Sequence, residues 1–124
     1  MGADIYIVSK SKPNAKIVKW WEKSFCYGRP TKKGKAYIYY WRDSYNRTNL
    51  AWVINLSYWK QFESDPKEFL KKLSKITDKE IETYVKSLNL DFKDREWLIK
   101  LLKKKRDYIK HVMKGFVKIH YLSI

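Results

Sequence analysis

Apolar and polar positions change period several times along this chain, and each change predicts an element. Ala3 to Val8 is a short apolar, β-branched run closed by the polar stretch Ser9 to Asn14 with Pro13, which predicts a strand and then a turn. Ile17, Val18, Trp21 and Phe25 then recur at helical spacing behind Asn14 as N-cap, and Gly28 with Pro30 closes the segment. A strand over Ile17 to Trp21 is the competing reading. Arg29, Lys32, Lys33 and Lys35 with one proline and one glycine predict a solvated turn or hairpin loop. It precedes a strand over Ala36 to Trp41, whose Tyr, Ile and Trp residues favour a pleated, packed surface. The polar block Arg42 to Asn49 leads into a helical face of Leu50, Val53, Ile54, Tyr58 and Phe62 that ends before Pro66. Asn55 and Ser57 mark where that helix would break in two.

The second half reads as helical. Asp65 and Pro66 open a helix with the proline at its first position and Phe69, Leu70, Leu73 and Ile76 as its buried stripe. Thr77 with Glu80 matches a capping box ahead of Ile81, Tyr84, Val85 and Leu88. A longer helix is expected from about Asp94 to Lys114, with Leu98, Leu101, Leu102, Ile109, Val112 and Met113 on one side and Gly115 as its stop. Phe116 to Ile124 returns to β-favouring residues and is expected to pair with the first strand. The sum is an α+β class: a small sheet of N-terminal, central and C-terminal strands packed against about four to five helices. Residues 1–124 read as a single domain, without internal repeats or linkers.

Composition narrows the function classes. A hydrophobic content of 44% over 124 residues is enough for one core and argues against intrinsic disorder. No run approaches the roughly 18 apolar residues of a membrane span, and the start lacks a signal-peptide pattern. The expectation is a soluble intracellular protein of the cytoplasm, not secreted, with no membrane partner. A lone cysteine, Cys26, and two separated histidines complete neither a disulfide nor a structural zinc site, so neither metal nor cofactor is expected.

Charge points to an anionic partner. The chain carries 28 Lys and Arg against 13 Asp and Glu, a net charge of +15. Lys100, Lys103, Lys104, Lys110 and Lys114 return every three or four residues on the long helix, interrupted by Asp107. With Lys32, Lys33 and Lys35 of the hairpin they are the candidate phosphate contacts, because neutralising phosphates releases counterions and gives salt-sensitive affinity. A solvated helix face is the plainer account of the same stripe.

Aromatic residues concentrate between Tyr37 and Phe62. Strand alternation puts Tyr37, Tyr39 and Trp41 on one face and Ile38 and Tyr40 on the other. An exposed aromatic face beside Arg42, Arg47 and the hairpin lysines would stack bases, or serve equally as a homodimer interface; a helix packed over it is the alternative. The densest polar constellation follows. Arg42, Asp43, Tyr45, Asn46, Arg47, Asn49 and Trp52 form the candidate ligand pocket, with arginine for phosphate, Asp43 for a sugar hydroxyl or base amine, and the asparagines for an amide-like edge. The competing reading is a helix cap with one internal Arg–Asp pair.

Catalytic motifs fail one by one. Gly28 to Lys35 resembles a phosphate loop, but five residues separate the glycines and Ala36 stands where Ser or Thr is required. Cys26 has no neighbouring histidine, Ser44 lies in no nucleophile-elbow pattern, and a Cys26–His120 pair or an Asp4 or Asp43 base would depend on tertiary geometry alone. No catalytic residue is assigned.

The opening Met1-Gly2-Ala3-Asp4-Ile5-Tyr6, the central Tyr40-Trp41-Arg42-Asp43-Ser44-Tyr45-Asn46 with Thr48-Asn49-Leu50 and Trp52, and Leu56-Ser57-Tyr58-Trp59 resemble a family of small phage or prophage proteins. Members begin MGADIY, carry FRDSYN, an N-L-x-W helix and an L-S-W-W segment, and end in a short I-H-x-S-[LI] tail that Ile119 to Ile124 loosely matches. Trp41 and Tyr58 stand where the family has Phe and Trp. The resemblance implies a viral accessory protein, with blunting of a host defence as one role, and no particular activity. Three function classes follow: a binder of nucleic acid or an anionic nucleotide, a protein-binding inhibitor of a host enzyme, and, third, a nucleic-acid or nucleotide-processing enzyme.

Overall fold

The computed structural model describes residues 2–25, 30–44, 46–56 and 64–123. The chain runs β1 (Gly2–Ser9), α1 (Ala15–Phe25), β2 (Thr31–Lys33), β3 (Ala36–Ser44), a short 3-10 helix (Leu50–Ile54), α2 (Pro66–Ser74), α3 (Asp78–Lys86), α4 (Phe92–Lys114) and β4 (Phe116–Ser123). The strands form one antiparallel sheet in the order β2-β3-β1-β4. This is the arrangement of a split βαβ unit, in which β3 inserts between the two strands joined by α1. The fold is α+β, as expected.

Local chemistry explains where the helices begin. Asn14 Oδ1 accepts from the amides of Lys16 (2.9 Å) and Ile17 (3.3 Å), which decides α1 over the competing strand. Asp65 caps α2 ahead of Pro66, and Thr77 and Glu80 form the reciprocal capping box of α3. Asp91 caps α4, which therefore starts at Phe92, ahead of the Asp94 expected from periodicity.

Two expectations over the middle of the chain are revised. Thr31–Lys33 is a strand, not loop, because Gly34 at φ +62° allows a tight hairpin that pairs Lys33 with Ala36. The helix expected from Leu50 onward is a five-residue 3-10 turn, closed by Asn55 in the left-handed region at φ 52°. Tyr58 and Phe62 lie outside the described residues.

The strand assigned at the C-terminus pairs with β1, Ile5 opposite Leu122 and Ile7 opposite Ile119. Register shifts leave His120 and Val117 as extra residues on β4, which breaks up this edge of the sheet. One sheet face, formed by Ile5, Ile7, Tyr39 and Trp41, is completely buried beneath α1 and α4. Trp21 of α1 stacks on Trp41 (ring centroids 4.8 Å) and on Tyr108 of α4 (4.7 Å). The helices α2 and α3 add Phe69, Leu70, Leu73, Ile81 and Val85 to this core. The aromatic face of Tyr39 and Trp41 is thus covered by helices.

At Gly115 the chain turns from α4 into β4 while its carbonyl accepts from Lys10 N (2.7 Å). A methyl group added there would lie 2.4 Å from Ser11 N and 2.9 Å from the Lys10 carbonyl carbon. Both are backbone atoms. Gly115→Ala is expected to cost about 1–3 kcal/mol in urea denaturation; wild-type stability would show that this connection has room to shift.

Candidate polyanion-binding site

The described residues between Arg42 and Trp52 divide between the two faces of the sheet and the turn that follows β3. Arg42 and Asp43 are neighbours on β3, so strand alternation sends them to opposite faces of the sheet. Arg42 Nη1 donates to both oxygens of Asp4, at 3.0 and 3.3 Å. Asp43 points inward. Its side chain is 1% exposed, Oδ1 lies 2.7 Å from Lys105 Nζ, and Oδ2 accepts from Leu50 N at 2.9 Å.

The rest of the block is turn and cap. Asn46 Oδ1 accepts from Thr48 N (2.9 Å), and buried Asn49 caps the 3-10 helix through Ala51 N (2.8 Å). Lys105 also donates to the Thr48 carbonyl (2.6 Å), so one buried ammonium ties the loop to α4. Arg47 is exposed, with its carbonyl accepting from Tyr84 Oη (2.9 Å), and Trp52 is 39% exposed. Tyr45 lies outside the described residues. The constellation is therefore a helix cap with an internal ion pair whose cation is Lys105, not an arginine.

Lys105 escaped notice because the run Lys103-Lys104-Lys105 reads as surface. Its signal was positional: it falls between Leu102 and Ile109 on the apolar stripe of α4, where a lysine enters the core only with a partner.

The lysine stripe of α4 divides in space. Lys103 turns to α3, 3.6 Å from Glu82 and 4.0 Å from Asp78, so its charge is compensated. Lys104 lies over the Trp20 ring (5.6 Å), in a small hollow with Lys16 and Asp107. Lys32, Lys33 and Lys35 are exposed on the hairpin, and Lys100 is exposed on α4.

Lys110 and Lys114 instead face α2. Together with Lys67, Lys71 and Lys75 they surround a groove of about 460 Å³ floored by Met113 and Phe116. Lys67 Nζ stands 5.3 Å from the centre of the Phe116 ring, a cation–π contact that holds one ammonium at the rim. None of the five lysines is in an ion pair among the described residues. The nearby Asp78 is engaged by Arg106, whose hydrogen bond and charge hold its carboxyl below the usual range, with smaller contributions from Lys103 and Lys110. Rows of like charge at i, i+4 weaken a helix by about 0.2–0.5 kcal/mol per pair. Here one row on α2 faces another on α4, a cost that a bound anion would remove.

Lys67, Lys71 and Lys75 were not among the sequence candidates. Their four-residue repeat beside the buried Phe69, Leu70 and Leu73 was visible; its position opposite Lys110 and Lys114 was not.

Two tyrosine hydroxyls sit within the fold. Burial pushes the Tyr39 phenol up to about 12, with Tyr37 adding a smaller effect, and raises Tyr108 too, whose hydroxyl donates to the Tyr40 carbonyl (2.8 Å). His111 Nε2 is 2.8 Å from the Lys12 carbonyl, and His120 is exposed on its bulge. Cys26 and Gly28 lie outside the described residues. Among the described residues no three His, Cys, Asp or Glu side chains cluster as metal ligands, and no helix is long and apolar enough to cross a membrane. Compared with protein-family models, curated proteins and solved structures, the chain matches none.

Proposed function

We propose that this chain is a small basic accessory protein of phage type that binds a phosphate-rich ligand, nucleic acid or nucleotide, in the groove between α2 and α4. The observation that carries this reading is the convergence of Lys67, Lys71, Lys75, Lys110 and Lys114 around one concavity without acidic partners among the described residues. Arg47 and the hairpin lysines, all exposed, add positive charge away from the groove; Asp43, Asn46 and Asn49 serve the scaffold instead. A net charge of +15 steers any polyanion toward the protein. Interference with a host defence is the biological role consistent with the phage-like motifs.

The test is anisotropy of a labelled single-stranded oligonucleotide titrated with the protein at several salt concentrations. Binding is expected to weaken steeply with salt. The double variant Lys71→Glu/Lys114→Glu should bind more weakly and with a salt slope smaller by about 1.4, since each lost contact to a single strand removes about 0.7. Reversing Lys32 and Lys35 should matter less. Absence of binding at low salt, or an unchanged slope in the groove variant, refutes the assignment and directs the search to an acidic host protein.

A further inference from the structure

The sheet has a second face, and the described helices pack on the other one. Register places Asp4, Tyr6 and Val8 of β1, Ile38, Tyr40 and Arg42 of β3, Lys33 of β2 and Lys118 of β4 on it. Val8 is buried and Ile38 partly covered, so the solvent-exposed part of this face is centred on Tyr6. Tyr6 and Tyr40 sit directly opposite one another on the two central strands, ring centroids 5.2 Å apart and tilted by 38°. Tyr6 is 37% exposed. Asp4 holds the neighbouring groups in place, accepting from the Tyr40 hydroxyl and from Arg42. The edge strands contribute exposed cations: Lys118 is paired with Val8, two residues along from Tyr6, and Lys33 with Ala36, four residues along from Tyr40.

We infer that this face is a stacking platform for single-stranded nucleic acid, with a base on the exposed Tyr6 ring beside Tyr40 and the backbone phosphates drawn to Lys118 and Lys33. The inference rests on the phosphate-ligand reading above and names its ligand class. Duplex DNA presents phosphates to the lysine groove but keeps its bases stacked inside, so it cannot use an aromatic ring on a flat sheet. A single strand offers unstacked bases, and four-stranded sheets with aromatic side chains on the central strands use that geometry to bind them. Cations at the edges and aromatics at the centre match a ligand whose charge runs along a backbone and whose bases project from it. The lysine groove lies on the helical side of the sheet, so the two sites make separable contributions.

The experiment compares binding of a labelled single-stranded DNA oligonucleotide with its own duplex, at moderate salt, for the full chain and three variants. The wild type should prefer the single strand. Tyr6→Ala should lose about five- to a hundredfold in single-strand affinity, the worth of one base–aromatic stack, while duplex affinity stays within about twofold. Tyr6→Trp should retain the preference. Lys71→Glu/Lys114→Glu should weaken both ligands together. If neither oligonucleotide binds, the phosphate-ligand reading itself fails. If both bind but Tyr6→Ala changes neither, or both equally, the platform is wrong and the groove stands. If sedimentation shows a wild-type dimer that Tyr6→Ala dissociates, the face is a self-interface and the platform is overturned.

Discussion

Lys105→Met is expected to destabilise the domain by about 3–5 kcal/mol, the cost of leaving one member of a buried ion pair without its partner. Methionine keeps the aliphatic volume that Lys105 fills, so the loss isolates the ammonium. Its removal takes the counter-charge from the Asp43 carboxylate, 1% exposed, whose Oδ2 still accepts from the Leu50 amide at 2.9 Å, and takes one donor from the Thr48 carbonyl. Asp43→Asn should cost a comparable amount, because the ammonium then faces a neutral amide. The double variant Asp43→Asn/Lys105→Met should recover a large share of the loss, since the asparagine oxygen still accepts from Leu50 and no buried charge is left over. Urea denaturation with an unchanged slope is the measurement. A loss under about 1 kcal/mol for each single variant would place the pair with ordinary surface salt bridges and refute its role.

Trp41→Ala should cost about 3–5 kcal/mol, the range for truncating a large buried aromatic. Its ring is fully buried between sheet and helices, stacked on Trp21 and within 5.8 Å of Tyr108, so the cavity would open where β3, α1 and α4 meet. Trp41→Phe should cost far less. It keeps a ring against Trp21 and deletes a buried indole N–H that has no acceptor among the described residues. Equal destabilisation by both substitutions would show that the indole makes contacts the phenyl ring cannot replace.

These two sites show how the central motif divides. Asp43, Asn49 and Trp41 look like ligand chemistry in sequence because polar and aromatic residues crowd together, yet all three are buried and act on the fold. Arg42 and Tyr40, from the same segment, face the other way. Nothing in residue type separates them; strand alternation does so once one face of the sheet has been covered. The helix starts, by contrast, were readable because capping is local: Asn14, Asp65 and Thr77 each act on amides two or three residues away. Asn55 closing a helix that periodicity would have extended follows from the same short-range chemistry, a left-handed residue that ends the turn.

The pairing of β1 with β4 was also legible, since two short β-favouring runs at the ends of an otherwise helical chain have few other partners. The groove was not. Two lysines on α2, a third at its C-cap and two on α4 form one site only because the helices pack side by side through Phe69, Leu70 and Leu73 against the apolar stripe of α4. Taken alone, the amino-acid order determined the three longer strands, the helix starts at Asn14, Asp65 and Thr77, the α+β class and the positive charge, all of which depend on neighbours within a few residues or on composition. Tertiary structure alone decided which lysine is buried, which lysines converge and which aromatic pair reaches solvent, because those depend on contacts between residues far apart in the chain.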